Sequence, residues 1–373
     1  MIALIQGLIY EEIVYLAVVA MSAAIVYVST PTLIWTSIKH KLYDQSELHR
    51  KIHKRNISRL GGVSIFASFT LTVLLFSAIF NYQQPIIVIV SSIILFATGL
   101  KDDLYGIGSI TKLILSLIVA AILVFVGEFS LSSLYGVLFI NNLGAIAGGL
   151  FSMLLIIFLK NAFNLIDGID GLSGTIGVIV NLIFGMYFAF TDQVSPALVA
   201  FSMVGALTGF LWYNFSPSKI FMGDSGSLII GMVSSIMAIH FIELNNGQNQ
   251  NILILNSAPA IAVSILIIPV FDSLFIFFLR LVNKKSPFKG DRNHIHHRIK
   301  DLGLPDVQVV YILAAINIFC VVATLLLDGC NNFLLISMLL VFCFILHIVL
   351  ILCTNRQKKQ KFEISQLVLK NHF

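Results

Sequence analysis

The sequence has very little charge for its length. Only 11% of its 373 residues are Asp, Glu, Lys or Arg, and 58% are hydrophobic, whereas soluble domains carry about 25% charged residues. Apolar runs recur along the whole chain, and a membrane-spanning helix needs about 20 such residues. We therefore expect an all-α polytopic membrane protein, built as a single domain over residues 1–373, and exclude an attached soluble domain.

Cysteine is scarce as well. The four cysteines lie in or beside the last two apolar runs, and no two of them have CxxC spacing. We expect them to be small core residues and not a disulfide framework or a metal site. The N-terminus lacks the basic segment of a cleavable signal peptide and carries Glu11 and Glu12 instead.

The apolar runs predict about eleven transmembrane helices. They lie at about residues 13–36, 61–80, 85–100, 111–127, 144–160, 172–190, 196–213, 225–243, 258–281, 308–327 and 333–353. Pro269 lies inside the ninth run and is expected to break it, because proline lacks a backbone N–H.

Lysine and arginine are missing from one set of loops. All 23 of them fall on the other side of the predicted topology, and the loops that lack them carry acids. The positive-inside rule makes the basic side cytoplasmic, so the N-terminus is outside and the C-terminus is in the cytoplasm. The predicted cytoplasmic segments are the loops 39–60, 101–111, 160–171, 214–224 and 282–307 and the basic tail 354–373.

Polar residues are concentrated in the stretch KNAFNLIDGIDGLSG, between two apolar runs. Asn161, Asn164, Asp167 and Asp170 follow one another at intervals of three, which places them on one side of a helical turn. Carboxylates in such a place are costly unless they face water, a cation or a ligand. A polar helix cap at the membrane interface is the alternative, but acids at membrane depth favour a functional site.

Two further acidic motifs are predicted on the same side. In GLKDDLYG, Asp102 and Asp103 are adjacent, which suits a general base or a pair of carboxylates that steers a cation, although a solvated turn explains them equally well. In SKIFMGDSGSL, Asp224 begins a helix and is either a helix cap or a metal ligand, and Phe221 could stack on a base.

Two basic motifs complete this side. The stretch HRKIHKRNISRLGG, which contains Lys51 and His53, is either a positive-inside anchor or a phosphate-binding loop. The stretch KGDRNHIHHRIKDLGLP has too few clear ligands for zinc, and its histidines and arginines better suit a phosphosugar than a purely basic loop. Its candidate residues are His294, His296, His297 and Arg298. The carboxylate and amide oxygens of the acidic motifs are hard ligands, which favour Mg²⁺ or Mn²⁺ over zinc. Together the motifs indicate phosphoryl transfer at the bilayer surface, between a lipid and a charged cytosolic molecule.

The motifs KDDLYG, NAFNLIDGIDGLSG, FMGDSGS and HIHHR, in this order, resemble the polyprenyl-phosphate N-acetylhexosamine-1-phosphate transferases. The resemblance covers about Arg50 to Arg298, and HIHHR is similar to the WecA-like branch of this glycosyltransferase 4 family. Ser46 and Ser58 depart from it, because the family usually has proline at both positions.

The resemblance implies a reaction. A UDP-N-acetylhexosamine, above all UDP-GlcNAc, and undecaprenyl phosphate would give undecaprenyl-diphospho-sugar and UMP, the first lipid-linked step of a cell-envelope glycan such as lipopolysaccharide. It also implies a bacterial inner membrane and a homodimer, without nucleic acid as a partner. We expect direct attack by the lipid phosphate, because a carboxylate nucleophile would add negative charge beside the diphosphate.

The resemblance also implies roles for individual residues. Asp224 and Asn164 would bind Mg²⁺, or Mn²⁺ in its place. The catalytic set would be Asp102, Asp103, Asp167 and Lys112. The remaining candidates would bind substrate: Lys51, His53, Asn161, Asp170, Phe221, His294, His296, His297 and Arg298.

Three alternatives remain open at this point. A multi-span transporter with an acidic site on its cytoplasmic face is the main one, although transporter sites usually lie at the midplane of the bilayer. A CDP-alcohol phosphotransferase would need the pattern DGxxAR, and DGIDGLSG lacks its Ala-Arg pair. An inactive scaffold is the third, although every candidate acid is present.

Overall fold

The structure of the protein is a computed structural model that describes residues 2–42, 57–137, 140–246, 254–283 and 294–370. Lys51 and His53 lie outside the described residues. Throughout the described residues the chain is helical and contains no strand, which confirms the predicted all-α class. The helices are α1 (Ile2–Lys39), α2 (Gly61–Phe80), α3 (Gln84–Tyr105), α4 (Ser109–Ala121), α5 (Ala145–Ile166), α6 (Leu172–Phe190), α7 (Val194–Asn214), α8 (Asp224–Leu244), α9 (Ala258–Ile265), α10 (Ile267–Val282), α11 (Ile295–Asp301), α12 (Asp306–Leu326) and α13 (Asn332–Lys370).

The helices agree with the predicted number of spans. Within the described residues, ten helices are long and apolar enough to cross a membrane, where α4 is counted together with the π-helical segment Ile122–Val126 that continues it. The bent pair α9–α10 makes an eleventh if it counts as one span. The protein is therefore a multi-pass membrane protein. The orientation of its ends stays a prediction, because the helices alone do not distinguish the two sides of a bilayer.

The bend between α9 and α10 has a clear cause. The two helices meet at 81°, and Pro269 in the first turn of α10 has no N–H to give to the carbonyl of Ile265 four residues earlier. Asn317 of α12 supplies the missing donor, because its Nδ2 lies 3.0 Å from the carbonyl oxygens of both Ser264 and Ile265. A neighbouring helix thus satisfies backbone groups that water cannot reach.

Helices α7 and α8 form the centre of the bundle. Both are buried along most of their length, whereas the spans Glu12–Lys39 of α1 and Asn332–Arg356 of α13 are mostly exposed, as expected of helices that face lipid. Serine hydroxyls connect the central helices to their neighbours. Ser22 of α1 contacts Ser68 Oγ of α2 at 2.8 Å and donates to the carbonyl of Ser202 on α7 at 2.7 Å. In a bundle without water, such bonds hold helices at fixed depths relative to one another.

Two helices extend further than the apolar runs indicate. Helix α3 continues to Tyr105, so Asp102 and Asp103 lie on its last turn and not in a loop. Helix α5 continues to Ile166, so residues 160–166 of the predicted loop 160–171 are helical. Polar side chains therefore project from helix ends, where a rigid backbone fixes their relative positions.

Candidate active site

A lysine connects two acids where the ends of α3, α4 and α8 meet. Lys112, in the first turn of α4, places its Nζ 2.7 Å from Asp102 Oδ2 and 2.8 Å from Asp224 Oδ2. The other oxygen of Asp102 accepts the backbone N–H of Ile107 at 2.7 Å. The structure thus brings residues 112 positions apart into one cluster of alternating charge.

Asn164 brings α5 into the same cluster. Its Nδ2 donates to Asp224 Oδ1 at 2.9 Å and to Ser227 Oγ at 3.0 Å. Both oxygens of Asp224 are therefore engaged, one by an ammonium and one by an amide. We refer to Asp102, Lys112, Asn164 and Asp224 as the charged cluster.

Asp103 has a different environment from its neighbour. Its two oxygens accept the backbone N–H groups of Asp224 at 2.8 Å and Ser225 at 3.0 Å. It thereby caps the N-terminus of α8, a task that the sequence assigned to Asp224 as the alternative to metal binding. Gly223 permits this contact, because its φ is +73° and a Cβ there would lie 2.6 Å from Asp103 Oδ2.

Asp167 and Asp170 lie in the turn between α5 and α6, next to the charged cluster. Burial raises the pKa of Asp167 well above its ordinary value of 3.8, and the negative charges of Asp224, Asp103 and Asp170 raise it further. Burial also raises the pKa of Asp170. Acids with raised pKa values beside other carboxylates indicate a site that is completed by a cation or a ligand.

The histidine motif packs over this turn. His294 precedes α11, and its Nδ1 lies 2.6 Å from Asp272 Oδ2 on α10. A Cβ built on Gly168 would lie 2.7 Å from His296 Nε2, so the histidine and the glycine are in close contact. Burial lowers the pKa of His296 to about 3, and its ring is therefore neutral at neutral pH. The rings of His296 and His297 are 4.4 Å apart between centroids.

The remaining candidates are less closely connected. Phe221 is partly buried, and its backbone pairs with the segment before α2, because its N–H donates to the carbonyl of Ser58 and its carbonyl accepts from Gly61. Asn161 is exposed on α5, and Arg298 is partly buried on α11. Uracil stacking by Phe221 stays a prediction.

Sequence reasoning missed two residues. Lys160, one helical turn before Asn164, is only 4% exposed and donates from Nζ to Ser116 Oγ at 2.7 Å. Asp272 is 1% exposed, and its carboxylate is hydrogen-bonded to His294 and to the backbone of Ile295 in the histidine motif. Each is a single charged residue next to or within an apolar run, and the cost of burying such a residue is the signal that would have found it.

Two groups of side chains have the composition of a cation site. Asp102, Asp224 and Asn164 offer hard oxygen atoms, and the ammonium of Lys112 already lies between the two carboxylates, as a cation would. Asp272, His294 and His296 offer one ligand atom each, and these atoms lie within 4.8 Å of one another.

Comparison with known proteins decides the family. A sequence model of glycosyl transferase family 4 matches residues 85–242, which include the charged cluster. An undecaprenyl-phosphate alpha-N-acetylglucosaminyl 1-phosphate transferase of Escherichia coli (strain K12) is 31% identical over 273 residues, or 71% of each chain. The chain belongs to glycosyl transferase family 4. The resemblance expected from the motifs is thereby confirmed.

Other relatives in family 4 match along most of the chain. A probable undecaprenyl-phosphate N-acetylglucosaminyl 1-phosphate transferase of Bacillus subtilis (strain 168) is 29% identical over 341 residues, which is 91% of each chain. A decaprenyl-phosphate N-acetylglucosaminephosphotransferase of Mycolicibacterium smegmatis (strain ATCC 700084 / mc(2)155) is 29% identical over 307 residues, covering 75% of this chain and 74% of its own.

Proposed function

We propose that this protein transfers N-acetylglucosamine-1-phosphate from UDP-N-acetylglucosamine to undecaprenyl phosphate. An oxygen of the lipid phosphate forms a bond to the phosphorus that carries the sugar, and the bond from that phosphorus to UMP breaks. The products are undecaprenyl-diphospho-N-acetylglucosamine and UMP. The names of the relatives in Escherichia coli and Bacillus subtilis support the class of acceptor and sugar.

The charged cluster is the observation that carries this proposal. A phosphate monoester that approaches a diphosphate meets strong repulsion, so a catalyst must mainly position the two groups and neutralise charge. Lys112 supplies a positive charge at the end of apolar helices, where a lipid phosphate and a soluble nucleotide can both arrive. Asp102 and Asp224 hold that ammonium in place until the substrates bind.

The acidic pair is suited to orient groups more than to remove a proton. The second pKa of a phosphate monoester is about 6, so the lipid phosphate is largely a dianion at neutral pH and needs no base. Both oxygens of Asp103 are already bound to N–H groups of α8, and both oxygens of Asp102 are also engaged. This favours direct attack over an intermediate on either aspartate.

We further propose that Asp224 and Asn164 hold Mg²⁺, or Mn²⁺ in its place. A cation bound there would neutralise charge on the diphosphate and on the departing UMP. Lys112 would then be released from Asp224 and become available to a phosphate oxygen. Asp167 would lose its proton more readily beside this cation.

The donor would lie between the charged cluster and the histidine motif. His294, His296, His297 and Arg298 would contact the sugar and the diphosphate, and Phe221 would stack on uracil. Lys51, His53, Asn161 and Asp170 are the further expected contacts. The relatives are bacterial, and we place this enzyme in the bacterial inner membrane as a homodimer that starts a cell-envelope glycan.

Release of UMP from different donors tests the proposal. Purified protein in liposomes with undecaprenyl phosphate and Mg²⁺ would receive UDP-GlcNAc, UDP-GalNAc or UDP-MurNAc-pentapeptide, one at a time. We expect UMP from UDP-GlcNAc, and its loss when EDTA is added. Folded protein that releases no UMP from any of the three would contradict the proposal and favour the transporter alternative.

The Asp224→Ala variant tests the metal assignment. We expect it to lose activity at every Mg²⁺ or Mn²⁺ concentration, because the carboxylate is the charged ligand in the proposed site. Ser235→Ala, which removes a buried hydroxyl that donates to the carbonyl of Met232 within the same helix, is a control for nonspecific damage. Full activity of Asp224→Ala would show that the cation, if required, binds elsewhere.

A further inference from the structure

Asp272 is a buried acid that accepts hydrogen bonds from two residues of the histidine motif. It lies on α10, one turn beyond Pro269, and is 1% exposed. Its Oδ2 lies 2.6 Å from His294 Nδ1, and its Oδ1 accepts the backbone N–H of Ile295 at 2.8 Å. A carboxylate in an apolar helix is costly unless such bonds satisfy it.

We propose that Asp272 is a positioning residue for the donor site, which acts through His294. This inference rests on the proposed function, since it deepens the role of the histidine motif. The first step concerns the ring. A contact of 2.6 Å between a ring nitrogen and a carboxylate oxygen requires a proton between them, and a carboxylate can only accept a hydrogen bond. Nδ1 of His294 therefore carries the proton, and Nε2 is the nitrogen that remains for a ligand.

The second step concerns the backbone. The bond from Ile295 N–H to Asp272 fixes the first residue of α11, a helix of seven residues that has little stability of its own. One carboxylate thus determines both the tautomer of His294 and the position of the helix that carries His296 and His297. The family model ends at residue 242 and leaves this part of the chain uncovered.

The third step concerns what the arrangement leaves for a ligand. His296 is 1% exposed, and neither of its ring nitrogens has a hydrogen-bond partner among the described residues. Its ring stacks on that of His294, with centroids 5.3 Å apart and 14° between the planes. A shift of His294 would therefore move His296 against Gly168 as well. The hydroxyl and phosphate oxygens of a UDP-sugar are partners of the right chemistry for these nitrogens.

The same three residues could instead hold a metal ion, but the contacts favour the proposed role. Both oxygens of Asp272 are already hydrogen-bonded, and the Nδ1 that faces them is also occupied. A metal would have to displace a pair whose side chains are only 1% and 6% exposed, whereas the Asp224 side chain at the proposed Mg²⁺ site is 23% exposed. Zinc content of the purified protein is therefore one arm of the test.

The test is a double-mutant cycle with Asp272→Asn and His294→Ala. An Asn at this position has a single acceptor oxygen, so it either reverses the tautomer of His294 or loses the bond to Ile295. We expect the KM for UDP-GlcNAc to rise by on the order of tenfold to a hundredfold, as the loss of a hydrogen bond to a charged group implies, while the KM for undecaprenyl phosphate stays the same. The double variant should match His294→Ala within about twofold, because without the ring the oxygen of the introduced asparagine is free to accept the N–H of Ile295, and only the contact with the ring distinguishes Asp from Asn.

Asp328→Asn is the matched control. Asp328 also accepts two backbone N–H groups, from Asn256 and Ser257, but it lies at the other end of the helices. This variant should keep both KM values. Three results would overturn the proposal. The first is that the effects of Asp272→Asn and His294→Ala on the KM for UDP-GlcNAc multiply in the double variant. The second is a lower kcat with both KM values unchanged, and the third is about one zinc per chain that both variants lose. A wild-type protein without UMP release would instead reject the proposed function itself.

Discussion

The Lys112→Met variant should be less stable than the wild-type protein, and Mg²⁺ should restore much of the loss. A hydrogen bond between charged groups contributes about 1.5–3 kcal/mol. Lys112 makes two, but its side chain is 32% exposed, so about 1.5 kcal/mol for each is appropriate. Its position in the first turn of α4 is unfavourable for a cation by about 0.3–1 kcal/mol. The expected net loss is about 2–3 kcal/mol.

The recovery follows from the two carboxylates that remain. Without the ammonium, Asp102 and Asp224 face each other and repel, and a divalent cation can bind between them without displacing lysine. A ligand present at 100 times its Kd stabilises the folded state by about 2.7 kcal/mol. Mg²⁺ or Mn²⁺ should therefore stabilise Lys112→Met more than the wild-type protein, even though the variant loses catalytic activity.

Thiol labelling during heating can measure this difference. Cys320 and Cys343 are buried and would react with a fluorogenic maleimide only on unfolding, and replacing the exposed Cys330 and Cys353 with serine lowers the background. Lys300→Met is the matched control, because Lys300 is half exposed and its pair with Asp306 should contribute at most about 1 kcal/mol. Equal midpoints for Lys112→Met and wild type, with equal shifts by Mg²⁺, would refute the reasoning.

Two further predictions concern the other acids. Asp103→Ala should destabilise the protein by about 2 kcal/mol, because two N–H groups of α8 lose their acceptor. Asp103→Asn should destabilise the protein less than Asp103→Ala does. An Asp103→Ala variant as stable as the wild-type protein would contradict the role of Asp103 as the cap of α8. The Asp167→Asn variant should become increasingly more stable than the wild-type protein as pH rises above about 4, the usual pKa of an aspartate. The raised pKa of Asp167 means that folding is favoured while the group is protonated, and that this contribution is lost as pH rises through the folded pKa. Melting at several pH values without metal measures it, and a pH-independent difference would contradict it.

The fold was largely predictable because each span is an apolar run of nearly constant length. The ends of the helices were less predictable than their apolar centres. Asp102 and Asp103 look like a loop in the sequence, yet α3 continues through them because its last turn packs against the start of α8, whose first N–H groups donate to Asp103. The break near Pro269 was predictable, but its partner Asn317 was not, since tertiary packing alone brings α12 to that point.

The sequence predicted candidate residues for the site, but not which side chains contact one another. Adjacent acids in KDDLYG have the same local sequence, but one contacts Lys112 and the other caps α8. Spacing within the motif gives no information on these different pairings, because the N–H group that Asp103 accepts belongs to Asp224, 121 residues further along the chain. Asp272 was missed for a different reason: it stands alone in an apolar run, and no motif includes it.

The most direct test of the account follows the β-phosphate of the donor. UDP-GlcNAc labelled at that phosphorus would be incubated with the purified protein, undecaprenyl phosphate and Mg²⁺, and the lipid would be extracted. Transfer of the sugar phosphate predicts that the label enters the lipid fraction, with one UMP released for each labelled lipid. Label that stays in water as UDP, while sugar enters the lipid, would contradict the account.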